Sequence, residues 1–207
     1  MPAKFSEAET VARKAEILQA TATIFAAKGY EATTVRDLEQ ATGLTRGGIF
    51  FHFPGKRPLY MAMLRQMLLQ EPLVERRDVI YAEMEQAGSA ELALLGAFRK
   101  ILEWHAQHPS CMALFEQIHV QRDDPEIAAL DAEIGASVDA FIRDMALRLQ
   151  ELGVFNPTLA AAPVAALMHG VFDHLTAAAM EIPQAEAEAM ASSLFRVMAQ
   201  GLEPRQG

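Results

Sequence analysis

Apolar residues recur every three or four positions along most of the chain, and this spacing predicts helices throughout. The first helix is predicted to begin after Ser6, because Ser6 and Glu9 have the spacing of a capping box, and to end where Lys28 meets Gly29. Its apolar positions are Val11, Ala15, Leu18, Ala22 and Phe25. Alternating β-branched runs are absent, so the pattern predicts an all-α fold.

Two short helices are predicted next. Thr34, with Asp37 three residues later, caps a helix from Val35 to Ala41 or Thr42 that Gly43 ends. Thr45 caps another, which ends at the Pro54-Gly55 break. Two such helices joined by a tight turn form a helix-turn-helix. The residues expected to face inward are Leu38, Ala41, Leu44, Ile49 and Phe53, with Phe50 beside them.

The same spacing predicts helices through the rest of the chain. A fourth helix opens near Lys56 to Pro58. The predicted helices cover residues 58–70, 73–87, 90–107, 110–121, 125–152, 158–181 and 184–201. Their ends are indicated by Pro72, Gly88-Ser89, Pro109, Asp124-Pro125, Gly153 to Pro157, and Pro183.

Gly47 and Gly48 fall in the first turn of the second short helix, where each costs up to ~1 kcal/mol relative to alanine. A glycine there lets the backbone approach a DNA groove or a phosphate closely. At this position the two glycines therefore lower the stability of the helix and allow its backbone to approach DNA.

Composition and charge narrow the class of protein. The 207 residues carry a net charge of -9, but residues 1–60 hold 8 Lys and Arg against 6 Asp and Glu, and the remainder holds 10 against 21. A slightly basic head on an acidic body suits a small DNA-contacting module. The single cysteine, Cys111, excludes a disulfide framework and a multi-thiolate zinc site.

Neither export nor a membrane span is expected. The N-terminus carries charges within its first nine residues and lacks the apolar run of a signal peptide, which favours a cytoplasmic protein. The longest stretch without charged residues, Leu152 to Phe172, contains Asn156, Pro157, Pro163 and His169, and fits a buried helix of a soluble protein better than a bilayer span.

The residues from Gly29-Tyr30 through T-V-R-D-L-E-Q-A-T-G-L-T-R-G-G-I-F-F-H-F-P-G-K resemble the DNA-binding head of TetR-type transcriptional regulators. The resemblance covers about residues 10–65, and within the family the sequence of these residues looks closest to the aconitase-repressor-like branch. It implies a helix-turn-helix DNA-binding domain over residues 1–55 and a helical ligand-binding and dimerisation domain over 56–207. It also implies a repressor without a cofactor or catalytic activity, released from a palindromic operator by a small-molecule effector.

The resemblance also implies roles for single residues. Thr34 and Thr45 would donate to phosphates, Arg46 would reach base edges, and Arg36 would contact a phosphate or a base. Gly47 and Gly48 would allow close approach, while Phe51, His52 and Lys56 would pack on or bond to the DNA backbone. Many relatives have tyrosine where this chain has Phe50, so one phosphate contact is expected to be missing. Phe50 and Phe53 are read as core rather than as contacts.

The body carries weaker signals. Small residues at Ala160 to Ala162, Ala165, Ala166, Gly170 and Ala177 to Ala179 permit close helix packing, either in a four-helix homodimer interface, which the resemblance implies, or in an intramolecular core. Arg122 either points inward, toward an anionic effector, or outward, neutralised by Asp123 and Asp124. The residues assigned to an effector pocket are Met84, Met112, Glu116, His119, Arg122, His169 and Asp173.

Two other functions remain open at this point. Glu116, His119, His169 and Asp173 could serve a helical metal-binding enzyme, although pocket-lining or core groups without metal are the favoured interpretation. An interaction protein whose helix-turn-helix no longer binds DNA is the second. No nucleophile and base stand at a spacing that indicates a hydrolase.

Overall fold

A computed structural model describes the backbone of residues 6–202, and the side chains of that range except residues 71–76. The described residues form helices and connecting turns. The helices are α1 (Glu7–Ala32), α2 (Val35–Thr42), α3 (Arg46–His52), α4 (Lys56–Leu64), a π-helical segment (Arg65–Gln70), α5 (Glu71–Glu85), α6 (Ala90–Gln107), α7 (Pro109–Val120), α8 (Pro125–Glu151), α9 (Ala161–Ala179) and α10 (Gln184–Leu202). The predicted all-α fold is confirmed.

The start of α1 follows from local chemistry. Ser6 Oγ accepts from the Glu9 amide at 3.2 Å and Glu9 Oε2 accepts from the Ser6 amide at 2.7 Å, which is the predicted capping box. The predicted end at Gly29 is a kink, with φ 76° and ψ 171°, and one more helical turn follows it. The buried stripe of α1 begins at Ile17, whereas Val11 is exposed rather than part of that stripe.

The predicted break at Pro72 is wrong. The chain runs from α4 through the π-helical segment into α5 without leaving the helical path. Proline has no amide hydrogen to donate to the preceding turn, and a π-helical turn is one way in which a helix accommodates a local defect without ending. The predicted start of the ninth helix near residue 158 is also early, since α9 begins at Ala161.

Contacts divide the chain into two compact units. The first comprises residues 6–72 and 108–134, and therefore joins α1 to α4 with α7 and the start of α8. The second comprises residues 73–107 and 135–202, with most of α5, all of α6, α9 and α10, and the remainder of α8. This grouping is by packing, and a division of function at residue 55 stays a prediction.

Each unit has its own apolar core. In the first unit, α1 packs against α2, α4 and α7, and the buried side chains include Phe25, Leu38, Ile49, Leu59, Met63, Leu114 and Ile118. In the second unit, three aromatic rings form the centre, with centroid distances of 6.4 Å for Phe98–Phe172, 6.1 Å for Phe98–Phe195 and 5.2 Å for Phe172–Phe195. Within residues 6–202, no helix combines the length and apolarity that a bilayer span requires.

Candidate nucleic-acid interface

A tight turn joins α2 to α3. Thr34 and Asp37 form a capping box at the start of α2, and Gly43 ends the helix in the left-handed conformation, with φ 67°. The Gly43 amide donates to the Glu39 carbonyl at 2.9 Å, which satisfies the last turn of α2. Thr45 then accepts from the Gly48 amide at 3.3 Å and caps α3. The predicted helix-turn-helix is confirmed.

The inner face of this motif is apolar. Leu38 and Ile49 are fully enclosed and Phe53 is almost so, as predicted. Ala41, Leu44 and Phe50 are half-buried at the edge of the same face. Burying these side chains within the first unit, where α2 packs against α3, holds α3 in place, and the opposite face of α3 lies open to solvent.

The exposed face of α3 carries the two glycines. Gly47 is exposed and Gly48 is half-buried. A Cβ atom built on Gly47 would meet only Thr45 Oγ1, at 3.9 Å, and one built on Gly48 would approach Leu44 Cβ no closer than 3.6 Å. Both are ordinary contacts, so packing within the first unit does not require glycine at either position. The two glycines therefore lower helix stability without a gain in packing within the first unit.

Arg46 stands beside these glycines with its guanidinium free of acidic partners among the described residues. Its backbone amide donates to Glu39 Oε1 at 2.6 Å, which caps the N-terminus of α3. Its guanidinium carbon lies 5.8 Å from the centroid of the Phe50 ring, so the side chain follows the helix surface. An exposed arginine held this way can donate two parallel hydrogen bonds to a planar acceptor pair, such as a guanine edge.

The two threonines assigned to phosphates differ. Thr34 Oγ1 donates to Asp37 Oδ2 at 2.8 Å, so its hydrogen is already committed within the motif. Within the described residues, Thr45 Oγ1 only accepts, from the Gly48 amide, so its hydrogen remains available for a phosphate. The Arg36 side chain is exposed on α2.

Phe51 and His52 end α3. The Phe51 ring is 77% exposed, unusual for a large apolar side chain, and meets the His52 ring edge-on at 5.1 Å. His52 Nδ1 is enclosed and has no hydrogen-bond partner among the described residues, so only Nε2 can reach a phosphate.

Lys56 is held by the first unit itself. Its ammonium donates to the Thr33 carbonyl at 2.7 Å and to the Glu31 carbonyl at 3.4 Å, and it lies 4.4 Å from the centroid of the Tyr30 ring. These contacts close the end of α1. An ammonium has three donors, so a phosphate contact by Lys56 is still compatible with this position and stays a prediction.

The seven residues assigned to an effector pocket divide between the two units. Met112, Glu116, His119 and Arg122 belong to the first unit, and Met84, His169 and Asp173 to the second. Glu116 and Asp173 are exposed, while Met84 is buried in the core of the second unit. His169 Nδ1 lies 2.6 Å from Asp139 Oδ1. The effector pocket stays a prediction.

Arg122 points outward, and its partner differs from the predicted one. Its Nε donates to Asp131 Oδ2 at 2.9 Å, and His119 Nε2 lies 4.0 Å from the same carboxylate. Asp124 instead binds Arg57, with Nη2 at 2.8 Å, and caps α8 by accepting from the Ile127 amide at 3.2 Å. Within the described residues, no group of three or more histidine, cysteine, aspartate or glutamate side chains is placed to hold a metal ion.

Sequence reasoning missed two connections within the first unit. Arg57, at the start of α4, bridges Asp124 and Glu126 at the start of α8. Gln117 of α7 donates to two carbonyls of α1. The sequence indicated a helix start at Asp124-Pro125, but no neighbouring residue indicated which cation would bind Asp124. Nothing in the sequence around Gln117 indicated that it would contact α1.

Comparison with known proteins identifies the family. The family model described as "Bacterial regulatory proteins, tetR family" matches residues 17–63. The chain is 51% identical over 51 residues to the HTH-type transcriptional repressor AcnR of Corynebacterium efficiens, covering 25% of this chain and 27% of that protein. A crystal structure of a TetR-family regulator from Cytophaga hutchinsonii superposes with a TM-score of 0.68 at 16% identity, covering 99% of this chain and 100% of that one. The HTH-type transcriptional repressor Rv1474c of Mycobacterium tuberculosis is 31% identical over 148 residues, 72% of each chain. Because Rv1474c is 31% identical over 72% of each chain, and because the helix-turn-helix is present, this chain belongs to the TetR family of DNA-binding transcriptional regulators.

Proposed function

We propose that the protein represses transcription by binding a palindromic operator as a homodimer, and that a small-molecule effector releases it. The observation that carries the proposal is the open face of α3, where an exposed glycine that packing does not require adjoins an arginine with no acidic partner in the part of the chain that the structure describes. Arg46 would read base edges in the major groove. Thr45, Phe51 and His52 Nε2 would contact the backbone, with Arg36, Thr34 and Lys56 at the margin. As a DNA-binding regulator, the protein would act in the cytoplasm.

Dimerisation is supported by the outer surface of α9 and α10. Leu167, Met180 and Val197 are exposed there, and Val197 is 70% exposed. Ala166, Gly170 and Ala177 are also exposed on α9. Small residues allow helices of two copies to approach closely, and exposed apolar surface favours such contact. To bind a palindromic operator, a two-fold dimer has to present its two α3 helices about 34–36 Å apart, the spacing of successive major grooves.

The effector would act on the separation of the two α3 helices. In our proposal residues 56–207 bind it, and α4 passes the change to the DNA-binding residues 1–55. Repression is proposed because the sequence relatives are named repressors. To switch sharply, the effector has to bind the non-fitting dimer more tightly than the fitting one, by several kcal/mol, about 5.5 for a complete reversal.

Selection of bound fragments from genomic DNA tests the DNA-binding proposal. The wild-type protein should enrich a two-fold sequence, and its affinity should fall steeply as salt rises. Arg46→Ala should lose about 1–3 kcal/mol of preference at one position of each half-site. Arg143→Ala, an exposed arginine of α8, is the matched control and should enrich the same sequence as wild type. If Arg46→Ala and Arg143→Ala enrich identical sequences, the base contact assigned to Arg46 is wrong.

A further inference from the structure

The end of α1 is shaped by a kink rather than by a simple stop. Gly29 has φ 76° and ψ 171°, which turns the backbone away from the helix axis. Where a helix is interrupted, carbonyls of the preceding turn need donors from elsewhere. Gln117 Nε2 supplies them, since it donates to the Phe25 carbonyl at 3.1 Å and to the Ala26 carbonyl at 2.8 Å. A side chain 91 residues away in sequence thus closes the regular part of α1.

The amide orientation of Gln117 is fixed by these acceptors. Only its nitrogen can donate to two carbonyls, because the side-chain oxygen is an acceptor. Gln117 is half-buried between α1 and α7, and the next residue, Ile118, is fully enclosed. Hydrogen bonds in such surroundings are costly to lose, because the carbonyls left behind are shielded from water.

The segment that follows the kink carries the first residues of the DNA-binding face. Tyr30 packs against Tyr60 with a centroid distance of 4.9 Å, and the Thr33 hydroxyl donates to the Gly29 carbonyl at 2.6 Å. Thr34 comes next and caps α2. The direction in which the chain leaves the kink therefore determines where α2 begins, and α2 packs directly against α3.

We infer that Gln117 is a positioning residue for operator binding. It lies on α7, outside the helix-turn-helix, and acts through the kink of α1 to hold α2 and α3 in the arrangement that fits DNA. The inference rests on the proposed operator binding. It assigns to α7 a direct part in the geometry of the DNA-binding face.

The second unit offers a matched control. Gln150 Nε2 donates to the Asn156 carbonyl at 3.0 Å and to the Leu159 carbonyl at 2.8 Å, so it also closes an irregular segment with one amide and two acceptors. Gln117→Met and Gln150→Met each remove two such bonds while keeping a side chain of similar length. Their effects on stability should be alike, and their effects on DNA binding should differ.

The experiment measures affinity for the selected operator and for random-sequence DNA, at a temperature where circular dichroism shows each variant folded. Gln117→Met should lower the ratio of operator to random-DNA affinity about tenfold, a change of about 1.4 kcal/mol. Gln150→Met should leave the ratio unchanged. Gln117→Asn keeps the amide but shortens its reach, and serves as a milder second variant with a smaller loss in the same direction.

The possible outcomes distinguish a failure of the inference about Gln117 from a failure of the proposed operator binding. If the wild-type protein binds all DNA alike, the proposed operator binding fails and the inference with it. If the wild type prefers its operator while the Gln117 variants match Gln150→Met in the affinity ratio, the inference alone is overturned.

Discussion

At the scale of single residues, α3 shows a conflict between stability and function. Gly47 has room for a methyl group and a helical backbone, so nothing inside the first unit demands a glycine there. The sequence already exposed this conflict, because glycine is a poor helix former wherever it occurs. The structure adds that the open side of Gly47 is the side that faces solvent.

Gly47→Ala should therefore stabilise the protein and weaken its function. We expect the free energy of unfolding to rise by up to ~1 kcal/mol, because alanine favours the helix. Operator affinity should fall tenfold or more, ~1.4 kcal/mol, because the added methyl group holds the backbone away from DNA. Urea denaturation and equilibrium DNA binding measure the two effects. Gly135→Ala, in α8, has equal room and should leave operator affinity unchanged; a Gly47→Ala variant of normal affinity would contradict the account.

Asp37 gives a pH dependence. The hydrogen bond from Lys28 holds the pKa of the Asp37 carboxyl well below its ordinary range, with further help from the Thr34 amide and hydroxyl. A carboxyl with a lowered pKa in the folded state stabilises the fold above its unfolded pKa, about 3.9, and loses that contribution as the pH falls toward the folded value.

The stability difference between wild type and Asp37→Asn tests this pH dependence. Wild type should be more stable at pH 7, and the difference should begin to shrink below about pH 5 and keep falling in more acid solution. Urea denaturation at a series of pH values measures it. A difference that stays constant from pH 7 to pH 3 would show that the Asp37 charge does not contribute to the cap.

Residue partners across the fold were harder to predict than residue types. The sequence left two interpretations of Arg122 open, and in the structure Arg122 binds a carboxylate, Asp131, that neither interpretation named. Lys56 was assigned to DNA from the resemblance, yet it also closes α1 through the Thr33 carbonyl. Such pairings depend on which helices meet, which local sequence does not contain.

At the scale of elements, helix ends were predictable where a cap defines them. The starts of α2, α3 and α6 fall where Thr34, Thr45 and Ser89 indicated, and each of these side chains accepts from a backbone amide of the first turn. Caps are local hydrogen-bonding arrangements, and a few adjacent residues determine them. Pro72 misled because a proline restrains one amide and one turn, and the backbone continues past it from the π-helical segment into α5.

The kink at Gly29 should depend on glycine. At φ 76° and ψ 171°, a conformation that essentially only glycine adopts, an alanine is strained by about 1–3 kcal/mol, although there is open space around a built Cβ atom. Gly29→Ala should thus lower the free energy of unfolding by that amount. Gly135→Ala, at a helical position with equal room, should raise it by about 0.5–1 kcal/mol. Equilibrium denaturation of both variants measures the change in the free energy of unfolding and its sign. A Gly29→Ala protein more stable than wild type would exclude the kink.

At the scale of the whole molecule, the sequence predicted two parts but not how the helices group. The packing of α7 with α1 joins residues about 90 positions apart, as the Gln117 bonds show. No periodicity along the chain encodes such a contact. The family resemblance predicted a DNA-binding domain and a helical body, and the structure shows which helices pack together in each unit.

Self-association should depend on the outer face of α9 and α10. Val197→Glu places a charge on that face and should convert the proposed dimer to monomers, because a charge is costly to bury in an interface. Val120→Glu changes a valine of α7 that is 85% exposed and should leave the dimer intact. Light scattering at several concentrations measures the mass. A Val197→Glu protein that remains dimeric would place the interface elsewhere.

The central claim is that the α3 helices of two copies enter successive major grooves of one operator. Hydroxyl-radical footprinting of the wild-type protein on a selected operator tests it most directly. The account predicts two protected regions related by two-fold symmetry, with centres about 10–10.5 base pairs apart or a multiple of that spacing, and their loss in Arg46→Ala at the same concentration. Uniform protection, or a single region unchanged by Arg46→Ala, would contradict it.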